Sequence, residues 1–375
     1  MKEKFERRIG ETAQEKAFFG EQQERADVSR LAREESSLVE SATERLKQEI
    51  QGASRKEAPS LPWLADFHDA AISPEGQILL TQEEYVQLNQ ETDAFFEEVR
   101  YSNTATAIGF DVAAAYDAHV KGWTTRSKII EINGKKLFAL CNYPSSRARR
   151  LFDRSMEAVS GDPMRKPKPE QWKKIVESRS TVPTVAGTPE DMVVMPYIES
   201  INAYDIFANQ KEIKDFGPFD WAKDMDVETK IALSKELAET LKTVHESGKT
   251  WGESILPNFI LTKEKIPILI DAETTYEDIP TGEQKATDVR NLMSSISGAL
   301  ARSAGITDFS PIIREVLAGY PDPEVLAELE RICSKPQPWR QRMIFSFFSR
   351  FRLGATSLEE FERVKKAIVE ILNQE

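Results

Sequence analysis

At 375 residues the chain is long for one domain, and a hydrophobic content of 40% can fill a sizeable core. Fifty Lys and Arg stand against 62 Asp and Glu, and the formal net charge of -12 argues against general nucleic-acid binding, which needs basic surface to meet phosphate. Only two cysteines occur, Cys141 and Cys333, neither in a C-x-x-C pair, which argues against a disulfide or zinc framework and fits a reducing compartment.

The opening residues M-K-E-K-F-E-R-R lack the apolar core of a signal peptide, and no apolar run is long enough to span a bilayer, so a cytoplasmic protein without a transmembrane segment is expected. Residues 1–60 are dense in Glu, Lys, Arg and Gln. Leu31, Leu38, Leu46 and Ile50 are spaced loosely as on a helix. The segment reads either as a solvent-facing helical arm or as a charged extension without fixed structure, and in either form it is a candidate for holding a protein partner. Pro59 and Pro62 mark its boundary.

A helix is expected from Thr81, with Glu84 three residues on completing a capping box and Tyr85, Leu88, Phe95, Phe96 and Val99 as packing residues. Between Thr106 and Tyr143 the sequence predicts a sheet. Its clearest part is K-I-I-E-I-N-G-K-K-L-F-A-L, two apolar runs joined by Asn133-Gly134, the dipeptide of a type I′ hairpin. With that turn, Ile132 faces Lys135, Lys128 faces Ala139 and Arg126 faces Cys141. A basic helix follows over Ser145 to Val159, carrying Asp153 and Glu157, and a turn-rich link runs from Gly161 to Pro169. Another helix and the strand of Met192 to Ile198 come next. At the end of this strand Pro196 presents only a carbonyl, whereas Ile198 presents both N–H and C=O.

Asp226 caps a helix running to Glu246, with Leu233, Leu237, Leu241 and Val244 on its buried stripe and Gly248 ending it. Beyond it, Glu253 and Asn258 lie in a loop, and Asp271 ends an apolar strand, I-P-I-L-I, that pairs back on F-I-L through K-E-K. A carboxylate, a carboxamide and a second carboxylate then converge at one end of a hairpin. Such a set suits phosphoryl transfer, where hard oxygens hold a metal and one carboxylate orients or deprotonates an acceptor hydroxyl.

At these residues the chain resembles the protein-kinase-like superfamily. The H-R-D-x-x-x-x-N loop separates its Asp and Asn by the same five residues as Glu253 and Asn258. The resemblance puts Trp251-Gly252-Glu253 on H-R-D and Asp271-Ala272-Glu273 on D-F-G. Both triplets depart from the protein-kinase form, and G-E with D-x-E is similar to small kinases acting on lipopolysaccharide, on small molecules or within tRNA modification. The resemblance implies an α+β, two-lobed fold: a small lobe with an antiparallel sheet over residues 61–198 and a mainly helical lobe over 199–375. It implies ATP and magnesium as cofactors, with Asn258, Asp271 and Glu273 as metal ligands and Glu253 as the positioning base. Met195, Pro196 and Ile198 would meet the nucleotide. The strand lysine of V-A-I-K is replaced by Cys141; a phosphate cation from the neighbouring strand, Lys128 or Arg126, with Lys128 paired with Glu157 and with Asp153 and Glu177 as rival carboxylates, resembles the solution of the with-no-lysine kinases. No Gly-rich loop precedes the hairpin, and Ser102 to Thr106 is a loop candidate for phosphate cover.

Thr274 to Thr287 is too short for a protein-kinase activation segment. Asp288 resembles the aspartate at the start of a kinase large-lobe helix that accepts hydrogen bonds from the catalytic-loop backbone; as a plain helix cap it would contribute about 1 kcal/mol. The aromatic and basic run from Pro338 to Gly354 reads as a packed helix or as a surface for membrane or polyanion, and an amphipathic helix from Ser357 to Leu372 closes the chain. The reading is therefore an ATP- and magnesium-dependent phosphotransferase whose acceptor is a small molecule, lipid head group or protein. The alternative is a pseudokinase scaffold.

Overall fold

The computed structural model describes residue 67 and residues 70–106, 125–142, 164–165, 169–208, 217–271, 275–276, 279–336 and 358–374. The chain divides into two compact units, residues 1–57 with 71–75 and residues 58–70 with 76–375. Of the first unit, the described residues form a short strand, β1 (Ala71–Ile72). Everything below belongs to the second unit.

Strand β2 (Ile78–Leu79) leads into helix α1 (Gln82–Thr106). The capping box forms as the sequence predicts: the Thr81 N–H donates to Glu84 Oε2 at 2.8 Å and the Glu84 N–H donates to Thr81 Oγ1 at 3.3 Å. Ser102 to Thr106, expected as a loop, is instead the final turn of α1. A helix already nucleated adds one hydrogen bond per residue, which carries it through residues of modest propensity.

Strands β3 (Thr125–Ile132) and β4 (Lys135–Asn142) form the expected hairpin. Asn133 at φ 49° and Gly134 at φ 77° are both left-handed, as a type I′ turn demands, and the register pairs Ile132 with Lys135, Lys128 with Ala139 and Arg126 with Cys141. The third strand is β6 (Met192–Pro196), antiparallel to β4. One face of this sheet buries Ile130, Ile132, Leu137, Ala139 and Cys141. Phe95 of α1 lies on that side, its ring centroid 5.9 Å from Lys128 Nζ. The other face carries Phe138, Leu140, Val193 and Met195, and there helix α2 (Pro169–Arg179) packs Trp172 and Val176 against Leu140, Val193 and Met195. Just before α2, strand β5 (Met164–Arg165) pairs with β10 (Thr275–Tyr276).

A second antiparallel sheet runs β7 (Ser200–Asn202), β8 (Phe259–Thr262), β9 (Pro267–Leu269). Its β8–β9 hairpin has the predicted pairing, Phe259 with Leu269 and Leu261 with Pro267. Around it lie the short helices α3 (Ala203–Ala208) and α4 (Asp220–Lys223), then α5 (Val227–Glu246), α6 (Thr281–Ala304), α7 (Ser310–Gly319), α8 (Pro323–Ser334) and α9 (Leu358–Leu372). The Asp226 carboxylate accepts from the Thr229 N–H at 2.8 Å, and Leu233, Leu237, Leu241 and Val244 are buried as the periodicity predicts. These side chains join Leu292, Ile296 and Leu300 of α6 and Ile312, Ile313 and Val316 of α7 in the main core. At the closest approach of α5 and α7 there is no room for a side chain on Gly319: a Cβ there would fall 2.9 Å from Ala238 Cβ and overlap the Lys235 carbonyl oxygen.

Helix α6 starts at Thr281, behind Pro280, so Asp288 sits two turns inside it and not at its start. The composition is mixed helix and small antiparallel sheets, in keeping with the expected α+β class. Among the described residues no helix is long and apolar enough to cross a membrane. The basic helix expected over 145–159, with Glu157, and the run 338–354 lie outside the described residues, as does residue 273.

Candidate functional site

The loop between α5 and β8 is held by its backbone. Gly248, at φ 82°, turns the chain after α5, and Gly252, at φ 94°, takes a conformation that side chains resist. The Trp251 N–H donates to Asp288 Oδ2 at 2.7 Å and the Gly252 N–H to Asp288 Oδ1 at 2.8 Å. On the opposite side of these peptides, the Trp251 carbonyl accepts from Arg179 of α2 and the Gly252 carbonyl accepts from Asn291 Nδ2 at 3.2 Å. The Glu253 main-chain carbonyl, not its carboxylate, accepts from Asn258 Nδ2 at 2.7 Å. Ser295 Oγ accepts from the Leu256 N–H at 3.0 Å and fixes the next turn.

Asp288 is fully buried and its carboxylate collects two further donors, Tyr276 Oη at 2.8 Å and His245 Nε2 at 3.0 Å, while Ser254 Oγ donates to the Asp288 main-chain carbonyl at 2.6 Å. A carboxylate with two oxygens and four lone-pair sites can satisfy this many donors, and burial strengthens each bond. His245 is itself buried, with Nδ1 2.6 Å from the Tyr320 hydroxyl. Burial pushes the Tyr320 phenol above its ordinary value, with Asp322 and Asp288 acting in the same direction, so it stays a neutral hydroxyl.

The end of the β8–β9 hairpin brings Asn258 beside the Asp271 segment. The Ile270 N–H donates to the Asn258 carbonyl at 2.7 Å, and Asp271 follows at φ 68°, exposed, in the left-handed region that aspartate tolerates. Because Asn258 Nδ2 is engaged as a donor, Oδ1 is the atom of that amide able to meet a cation. Asp271 lies at a cleft of about 360 Å³, within the size range of small-ligand pockets. Ser127, Phe138 and Leu140 form one wall, Met195 to Ile198 another, and Val176, Trp251, Leu269 and Ile270 the floor.

Of the residues singled out in the sequence, Met195, Pro196, Ile198 and Asp271 line this cleft, and Asn258 is buried next to its Asp271 end. Glu253 is half-buried in the loop that Asn258 ties down, without lining the cleft. Lys128 is not brought there. It shares the sheet face of Ala139 and Cys141, packed toward Phe95, while Ser127 on the opposite face lines the cleft. None of the described lining residues is cationic. Cys141 cannot substitute: burial pushes its thiol up to about 12, helped by Asp191, so it is neutral. Among the described residues no group of three or more His, Cys, Asp or Glu is placed to hold a metal ion. Glu157 and Glu273 lie outside the described residues.

No protein-family model matches the chain, and no curated protein sequence matches it. One similar solved structure is described as WaaP in complex with acyl carrier protein; it is 16% identical at a TM-score of 0.28, over 56% of this chain and 83% of that one. A similarity that loose assigns no activity to this chain.

Sequence reading missed Arg179, His245, Tyr276 and Tyr320. Each acts through a partner more than ten positions away, as with Arg179 and Thr250 at a separation of 71 residues, and no local spacing announces such pairs.

Proposed function

We propose that the chain binds a nucleotide with magnesium and transfers its terminal phosphoryl group to a hydroxyl acceptor. The observation that carries this reading is the cleft itself: a pocket of nucleobase size, apolar on its walls, with Asp271 at its edge and Asn258 beside that edge. Met195 to Ile198 would contact the base. Asn258 Oδ1 and the Asp271 carboxylate are the hard oxygens that would hold magnesium, which keeps its remaining coordination for water and phosphate. When bound, the metal would neutralise charge on the phosphates. Glu253, on a loop tied by the Trp251 and Gly252 amides to Asp288 and by its own carbonyl to Asn258, would orient the acceptor hydroxyl and take its proton. Lys128 has no part in this reading, because it lies on the far face of the sheet. The acceptor is a small molecule, a lipid head group or a protein.

A second reading, a scaffold without catalysis that binds nucleotide weakly or not at all, is favoured by one observation: no described residue lining the cleft is cationic, and the strand-lysine position holds the neutral Cys141. Calorimetric titration of ATP with and without magnesium, on the wild type and on Asp271→Asn, separates the two. The phosphotransferase reading expects magnesium-dependent binding that weakens at least tenfold in the variant. No binding at millimolar ATP would refute it and leave the scaffold.

A further inference from the structure

We propose that Arg179 is a positioning residue that sets the Glu253 loop from the end of helix α2. The inference rests on the reading of Glu253 as the group that orients the acceptor. Arg179 ends α2, and its Nη2 donates to both the Thr250 and the Trp251 carbonyl oxygens. Its guanidinium carbon lies 5.8 Å from the Trp251 ring centroid, within cation–π range. The contact is reciprocated: Lys249, one residue before Thr250, donates through Nζ to the Ser180 carbonyl at 2.9 Å. Two cations thus cross between the end of α2 and the start of the loop, each capping carbonyls of the other.

The two peptides leading to Glu253 are thereby gripped by opposite charges on their two sides. Asp288 takes the Trp251 and Gly252 N–H groups, and Arg179 takes the Thr250 and Trp251 carbonyls. A peptide plane held at its N–H by a buried carboxylate and at its C=O by a guanidinium has no freedom to rotate, and charge-assisted bonds are about twice as strong as neutral ones. Arginine is suited to this because its planar Nη2 carries two N–H donors, one for each carbonyl, while the guanidinium stays within cation–π range of the Trp251 ring. The cleft is lined from both partners, by Val176 and Ser180 at the end of α2 and by Trp251 of the loop. A ligand seated in the cleft therefore touches the helix that holds the loop, and small misplacement of a reacting group costs rate steeply.

Three variants test this: Arg179→Met, Arg179→Gln and Arg179→Lys, in the full chain. Hydrogen exchange at residues 249–253 is measured by mass spectrometry. Alongside it, the hydrolysis of magnesium ATP by water gives turnover without an identified acceptor, and calorimetry gives nucleotide affinity. The expected result for Met and Gln is exchange at the Trp251 and Gly252 amides at least tenfold faster, with α7 protection unchanged. Turnover falls at least tenfold while the ATP dissociation constant stays within about twofold, and Lys recovers part of both losses. Unchanged exchange at 250–252 in Gln and Met overturns the proposal. So does a loss of turnover matched by the loss of folded protein. If Met fails to fold, Gln and Lys carry the same comparison. Should the wild type neither bind nor hydrolyse ATP, the phosphotransferase reading fails alone, and the exchange data still decide whether Arg179 positions the loop.

Discussion

Replacing Asp288 by Asn is the most severe single-atom test of the site. Oδ1 of the carboxylate receives Gly252 N–H and the Tyr276 hydroxyl; Oδ2 receives Trp251 N–H and His245 Nε2. An amide that keeps its oxygen toward Gly252 and Tyr276 turns NH2 toward Trp251 and His245, and the reverse orientation would set NH2 against the Gly252 N–H instead. His245 can adapt, carrying its proton on Nδ1 to donate to Tyr320 and accepting at Nε2 from the new amide. The Trp251 N–H cannot adapt; it would face a donor in a fully buried setting, a loss of about 1–3 kcal/mol. The surviving bonds also change from charge-assisted to neutral, and Arg179 loses a nearby opposite charge. A total of about 3–5 kcal/mol is expected, the range found when one partner of a buried charged network is removed. Urea unfolding followed by fluorescence measures it from the shift in midpoint at constant slope. A loss below about 1 kcal/mol would refute the reasoning, since it would mean that the four donors do not depend on the charge or that the loop is held elsewhere.

Two further outcomes follow from packing and from charge. Gly319→Ala should destabilise by about 1–3 kcal/mol in a thermal or urea melt, because its new methyl group would press on the Lys235 carbonyl and on Ala238 across the α5–α7 contact, where backbone cannot move cheaply; a neutral result would show that the helices separate freely. Glu84→Gln keeps a side chain able to close the capping box but removes the charge that meets Lys135 Nζ at 2.8 Å. Burial alone would raise the Glu84 carboxyl, yet the bonds from Lys135 and Thr81 outweigh it and hold it below its ordinary value of 4.5. A carboxyl lowered on folding contributes stability above its unfolded value and loses it as pH falls through the folded value. The variant should therefore cost about 1 kcal/mol at pH 7, and the gap to wild type should shrink below pH 4.5; a gap that is constant with pH would assign the effect to packing.

Local chemistry made much of the fold legible. Asn133-Gly134 specified both the turn and the register of β3 and β4, since left-handed φ values at two consecutive positions leave few residue choices. Thr81 with Glu84 located the start of α1, and a 3.6-residue stripe located the buried side of α5. What alternation could not tell is which face of a strand meets the cleft. Period two places Lys128 with Ala139 and Cys141 in any case; Phe95, brought by a helix more than thirty residues earlier, decides that this face is covered by α1. The same limit hid Arg179 and the His245–Tyr320 pair, whose partners are set by tertiary packing.

That face assignment bears directly on the chemistry. With Phe138 and Leu140 turned to the cleft, a phosphate-binding cation carried by β4 would have to stand on their side of the strand, where the one basic residue, Lys136, is exposed and does not line the cleft. Neutralisation of a bound polyphosphate would then fall on the metal at the Asp271 end more heavily than where a strand lysine shares the task. Magnesium should accordingly govern nucleotide affinity here and not only turnover. This is why the Asp271→Asn titration, with and without magnesium, discriminates more sharply in this chain than an activity assay against an unidentified acceptor: it reads the one charge that the cleft's described lining supplies.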